Sequence, residues 1–189
     1  MISNVVVVHG YNENEKEKIA KGFSPQHKRN WLPWIKEKLE ANGIKCKIPL
    51  MPNNVSYEKW KKIFEENKID EDFVLIGHSA GGAFLVRWLS ETNKKIRKLI
   101  LVAPARRLLG MKEKYLKFYT FKNNPKIKEN IKEVCIFVSD NESAGIKESV
   151  SLYEKDFKVK AIELKNKEHF TESGMGTKEF PELLNEVLE

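Results

Sequence analysis

The chain has 189 residues and a formal net charge of +7. That length suits one domain with a sizeable core, and no stretch approaches the roughly 20 apolar residues of a membrane helix, so no membrane role is expected. The lysines behind the charge are scattered and often sit beside glutamates, as in EKEK (15–18) and KEKLE (36–40); this describes a solvated, mixed-charge surface and not a nucleic-acid footprint.

In chain order, the opening MISNVVVVHG lacks a basic n-region and a small-residue cleavage site, so it reads as a strand over 5–8 and not as a secretory signal. A charged stretch, 11–29, follows. Trp31, Trp34, Ile35 and Leu39 then recur at helical spacing and predict a helix over 30–41. Further strands are expected at 44–50, 73–76, 99–102, 134–138 and 159–164, and further helices at 55–66, 80–91, 146–157 and 178–188. Runs such as VVVV and VLI are apolar throughout and do not alternate, which implies strands buried on both faces. The fold class is α/β: a three-layer sandwich in one domain, 1–189, with a mostly parallel six-stranded sheet and helices on both faces. In such sheets chemistry sits beyond the carboxyl ends of the strands. Cys46 and Cys135 lie in apolar runs, with no CxxC or Cys/His cluster. They read as buried reduced thiols in a cytoplasmic protein, and no metal site is expected. No phosphate loop or dinucleotide fingerprint occurs, so no cofactor is expected.

Residues 73–84, FVLIGHSAGGAF, place Gly77-His78-Ser79-Ala80-Gly81 between a strand and a helix. This is the G-x-S-x-G nucleophile elbow in the context it requires. Ser79 must occupy a sharp, strained turn, and side chains at 77 and 81 would collide with neighbouring backbone. A serine needs a base to take its proton. In this motif the base follows the nucleophile in the chain, and His169 is the one histidine after Ser79; His9, His27 and His78 precede it. His78 is read as packing and His9 as shaping a loop. The base in turn needs a carboxylate. The segment VCIFVSDNESAG (134–145) offers Asp140, nearest the strand end, and Glu142, two residues further on. The oxyanion requires two N–H donors; the backbone of Ala80 and of Tyr11, after His9-Gly10, are the candidates. Residues 105–121, ARRLLGMKEKYLKFYTF, read either as a helix packed on the core or as one wall of an acyl pocket, with Arg106 and Arg107 as surface charges.

The chain resembles the small serine hydrolases of the YdeN and retinoblastoma-binding protein nine type. The resemblance rests on VVHG (7–10), NWLPWIKEKLEANG (30–43), PLMPN (49–53) with Trp60 after it, IGHSAGG (76–82), LILVAPA (99–105), FVSDNE (137–142) and HF (169–170) ahead of EFPELL (179–184). It implies a compact α/β-hydrolase fold with no large cap and a Ser-His-acid triad. The family's acid loop resembles S-x-x-D-P, which lays the catalytic acid on Glu142, with Asp140 as the alternative. Here the usual D-P is replaced by Glu142-Ser143, and the loop over 11–29 is longer and more charged than the family pattern. The activity expected is hydrolysis of a small carboxylic ester or thioester through an acyl-enzyme. A peptidase or amidase would use the same residues. The reading from another class is a non-catalytic module on a hydrolase scaffold that binds a protein partner.

Overall fold

Strands that are apolar on both faces need cover on both faces, and the computed structural model supplies it. It describes residues 2–53, 56–106, 113–122, 124 and 126–189. Six strands form one sheet: β1 (Asn4–Val8), β2 (Lys45–Lys47), β3 (Phe73–His78), β4 (Ile96–Val102), β5 (Ile131–Ser139) and β6 (Ile162–Leu164). Their order is β2-β1-β3-β4-β5-β6, and every pairing is parallel. The fully buried Val5–Val8, Val74–Ile76 and Leu99–Val102 account for the absence of alternation in the sequence. The edge strands β2 and β6 differ: each has three residues, and β2 buries Cys46 between exposed Lys45 and Lys47.

The helices are α1 (Glu15–Ala20), α2 (Leu32–Ala41), α3 (Tyr57–Glu65), α4 (Ala80–Thr92), α5 (Glu113–Tyr119), α6 (Ala144–Phe157), α7 (Glu172–Met175) and α8 (Pro181–Leu188), with short 3-10 turns at Gln26–Lys28 and Ile127–Asn130. The strand expected over 44–50 ends at Lys47, because Pro49 has no N–H to give a ladder. The helix expected from residue 30 begins at Leu32, since Asn30 has a φ of 54° and Pro33 sets the first turn. The charged stretch 11–29 holds α1, which lacks the apolar repeat that would have announced it.

Register fixes where chemistry can occur. Val8 pairs with Gly77, His78 with Val102, Val102 with Phe137 and Ser139 with Leu164. The chain therefore leaves the sheet along one edge at His9, Ser79, Ala103, Asp140 and Lys165. Behind that edge Trp60 and Phe64 pack on Phe84, and Trp31 packs on Phe180, with ring centroids 5.3–5.8 Å apart. Lys98, buried in β4, is paired with Glu133 at 3.0 Å and Glu186 at 2.9 Å, which ties α8 to the sheet.

Candidate active site

Ser79 joins β3 to α4 with φ 54° and ψ −118°, a conformation that costs a non-glycine residue about 1–3 kcal/mol. The surrounding backbone holds it there. Its N–H donates to Val102 O at 3.0 Å, and its carbonyl accepts from Gly82 N at 3.0 Å and Ala105 N at 3.1 Å. A Cβ at Gly77 would lie 2.6 Å from Gly82 Cα, and one at Gly81 would lie 2.1 Å from Val8 O. Both glycines are thus required by close backbone approach. The contact at Gly81 presses the start of α4 against the loop leaving β1.

That loop passes over the nucleophile: a Cβ on Gly10 would sit 3.2 Å from Ser79 Cβ. His9, which begins it, is buried and riveted at both ring nitrogens. Nδ1–H donates to Gly10 O at 2.7 Å, and Nε2 accepts from Met51 N at 3.0 Å. Burial, chiefly, lowers its pKa to about 4, so it is neutral and structural at ordinary pH. The MPN segment matters here through its backbone, since Met51 holds His9 and Pro52 O accepts from Trp60 Nε1 at 3.2 Å. Tyr11 follows on this loop, and Ala80 opens α4, where a backbone N–H has no acceptor in its own helix.

His169 Nδ1 donates to Glu142 Oε2 at 2.7 Å, and the Glu142 side chain is 4% exposed against 35% for His169. Burial pushes the Glu142 pKa up, but the hydrogen bond and charge of His169, with the N–H of Ser143, outweigh it and hold the carboxyl below its usual range. Asp140 is occupied elsewhere: its Oδ1 accepts from Asn166 N at 2.7 Å. Of the two candidate acids, the structure brings Glu142 to the histidine and leaves Asp140 as a loop fastener. Ser139 and Asn141 do the same work, accepting from Lys167 N and Glu168 N at 2.9 Å each. Three consecutive side chains thus clasp the three residues before His169. Within and beside that segment Asn166, Glu168 and Phe170 have φ of 55°, 45° and 53°, a conformation that such clasping must enforce.

Two further donors grip the loop at the base itself. His78 Nε2–H donates to His169 O at 2.9 Å, and Trp31 Nε1–H donates to Phe170 O at 3.1 Å. Asn30 Oδ1 accepts from Glu172 N at 3.0 Å. Burial first, then the neighbouring His169, lowers the His78 pKa to about 3 and keeps it a neutral donor. The sequence reading assigned His78 to packing and missed this bond; the place of His78 beside Ser79 was the available signal. The His78 and His169 rings lie 5.1 Å apart. No hydrogen bond joins Ser79 Oγ to His169 in this structure; such bonds often tighten only around substrate.

Among residues 105–121, Arg106 is paired with Asp156 at 2.7 Å and Phe118 is buried against Trp60 at 5.0 Å between centroids. These two positions belong to packing. Arg107, Leu108, Leu109 and Met111 lie outside the described residues.

A parallel sheet with a strained serine between β3 and α4, and a His–carboxylate pair at the ends of later strands, defines an α/β-hydrolase fold. The chain belongs to the serine hydrolase family, whose model matches residues 5–187. It is 28% identical over 109 residues to the putative hydrolase YdeN of Bacillus subtilis (strain 168), a match covering 54% of this chain and 51% of that protein. The crystal structure of the ydeN gene product from B. subtilis superposes with a TM-score of 0.81 at 20% identity, covering 98% of this chain and 97% of the other. Est1E from Butyrivibrio proteoclasticus gives 0.66 at 15% identity over 99% and 89%, and bromoperoxidase from Bacillus anthracis gives 0.69 at 11% over 100% and 93%. At these identities the superpositions establish the fold. Among the described residues no helix is long and apolar enough to cross a membrane.

Proposed function

We propose that the protein hydrolyses small carboxylic esters or thioesters through an acyl-enzyme on Ser79. The observation that carries this reading is the 2.7 Å bond from His169 Nδ1 to the buried Glu142 carboxylate. It fixes the tautomer that leaves Nε2 basic and supports the imidazolium when it forms. In the first step Ser79 Oγ attacks the acyl carbon while His169 Nε2 takes its proton. The negative charge on the carbonyl oxygen is received by the N–H groups of Ala80 and Tyr11. The tetrahedral intermediate collapses, the C–O or C–S bond breaks, and His169 returns the proton to the leaving group. Water then attacks the acyl-enzyme with His169 as base, which releases the carboxylic acid and restores Ser79. The buried, unpaired thiols Cys46 and Cys135, with the former raised to about 12 by burial, suit a cytoplasmic location.

Labelling by a fluorophosphonate probe tests the proposal. Wild type should label, Ser79→Ala should not, and His169→Ala should label at least about 100-fold more slowly. A folded wild-type protein that fails to label and turns over no p-nitrophenyl ester would sink the catalytic reading.

A further inference from the structure

A cavity of about 270 Å³ opens beside the loop that crosses the nucleophile. Gly10 and Tyr11 form its inner border, Ile19 and Leu50 its rim, and Met51 and Ile63 part of its apolar lining. Gly10 therefore faces this cavity on one side and lies against Ser79 on the other. The volume falls just below the usual range of ligand sites, about 300–1,000 Å³, and so suits a small group.

We propose that this cavity receives the acyl chain of the substrate, and that the chain is short and apolar. The inference rests on the serine hydrolase reading above. Its direction follows from the topology. The cavity lies on the β1–β2 side of Ser79, with its walls at 9–12 and 50–53. His169 follows β6, at the opposite end of the sheet order. The leaving group departs with the proton of His169 and so faces the base. The acyl substituent of the same tetrahedral carbon points away from the base, toward Gly10 and the cavity.

The chemistry of the walls selects the chain. Glu15 is buried at the border, but both its oxygens are engaged: Oε1 accepts from Gln26 N at 2.7 Å and Oε2 pairs with Arg29 Nη2 at 2.8 Å. This carboxylate is satisfied within the protein and makes no demand for a cationic ligand. The rest of the lining is mainly apolar, with Ile19, Leu50, Met51 and Ile63 among it. The segment over 11–26 is thus the folded wall of the specificity pocket.

The test uses p-nitrophenyl acetate, butyrate and hexanoate with wild type, Ile19→Trp and Leu50→Trp. Ile19 and Leu50 are 45% and 51% exposed, so tryptophan there fills the mouth without entering the core. For wild type, kcat/KM should climb by up to about fourfold per added methylene. In the tryptophan variants that climb should vanish. An unchanged chain-length slope in both tryptophan variants overturns the pocket assignment. A parallel series of acetate esters with lengthening alcohols should be insensitive to the tryptophans; if its slope is the one lost, the cavity holds the leaving group and the proposal fails. Fluorophosphonate labelling of each variant separates these failures from a failure of the hydrolase reading, which removes labelling altogether.

Discussion

The nucleophile elbow and the acid–base clasp are built on different principles. Around Ser79 the geometry is set by absent side chains: Gly77 and Gly81 let backbones approach so closely that a Cβ would fall 2.6 and 2.1 Å from a backbone atom, and one at Gly82 would fall 2.9 Å from Pro104 Cβ. Around His169 the geometry is set by side chains present, as Ser139, Asp140 and Asn141 accept from one loop while His78 and Trp31 donate to it. A steric device admits almost no substitution. A hydrogen-bonded clasp shares its work among several residues, so single losses there should be graded.

The largest expected effect lies where the clasp ends in chemistry. Glu142→Gln should lower kcat by about 10³–10⁴-fold with the fold intact, because the amide no longer selects the tautomer or stabilises the imidazolium; steady-state kinetics beside a circular dichroism spectrum check it. Gly81→Ala should follow, destabilising by about 3 kcal/mol or more, as the new methyl meets the rigid Val8 carbonyl; denaturant unfolding measures this, and a near-neutral result would deny that the elbow is steric.

Acidification should then act on both regions together. His9 and His78 have folded pKa values of about 4 and about 3 against 6.5 when unfolded. Above pH 6.5 both are neutral in either state and contribute no pH dependence. As pH falls below 6.5 the unfolded chain takes up their protons first, so stability drops by about 1.4 kcal/mol per pH unit for each, until the folded pKa is reached. Glu142 has the opposite charge type but the same trend, since its depressed pKa gives stability that is lost as pH falls through the acid range. Urea midpoints between pH 7 and 4 should decline in wild type and decline less in His9→Gln, whose amide can keep one of the two bonds.

Smaller again is Trp31→Phe. It keeps the ring in the core but removes the donor to Phe170 O, and turnover should fall about tenfold, equivalent to one hydrogen bond, with KM little changed. Asp140→Asn should be the mildest, because the amide oxygen can still accept from Asn166 N; a loss of less than about 1 kcal/mol in unfolding is expected. If Asp140→Asn abolished turnover and Glu142→Gln did not, the two carboxylates would have exchanged roles and the pairing at His169 would not be the working one.

How far the sequence could be read follows the same division. The elbow was legible because steric necessity leaves an invariant local pattern, Gly77-His78-Ser79-Ala80-Gly81 between an apolar strand and a helix. The parallel sheet was legible from β-branched runs without alternation. The choice between Asp140 and Glu142 was not settled by local pattern, because it depends on where Asn166 N and His169 stand, 26 and 27 residues away in the chain. The donors at His78 and Trp31 escaped for the same reason: their acceptors are backbone carbonyls 91 and 139 residues distant. Helix α1 escaped because its sequence, EKEKIA, carries no apolar repeat and is held by the Glu15–Arg29 pair. The aromatic stretch over 105–121 gave an even choice between core and pocket; Phe118 has gone to the core.

The shortness of the two outer strands bears on how the molecule behaves in a crowd. A sheet invites another chain to add itself wherever a long row of backbone donors and acceptors stays open. Here a newcomer at β2 would find three residues to pair with and two lysine side chains on the way, and at β6 three residues with Glu163 among them. The all-parallel sheet that carries the catalytic edge is therefore poor seed material for fibrils, although its central strands are among the most apolar in the chain.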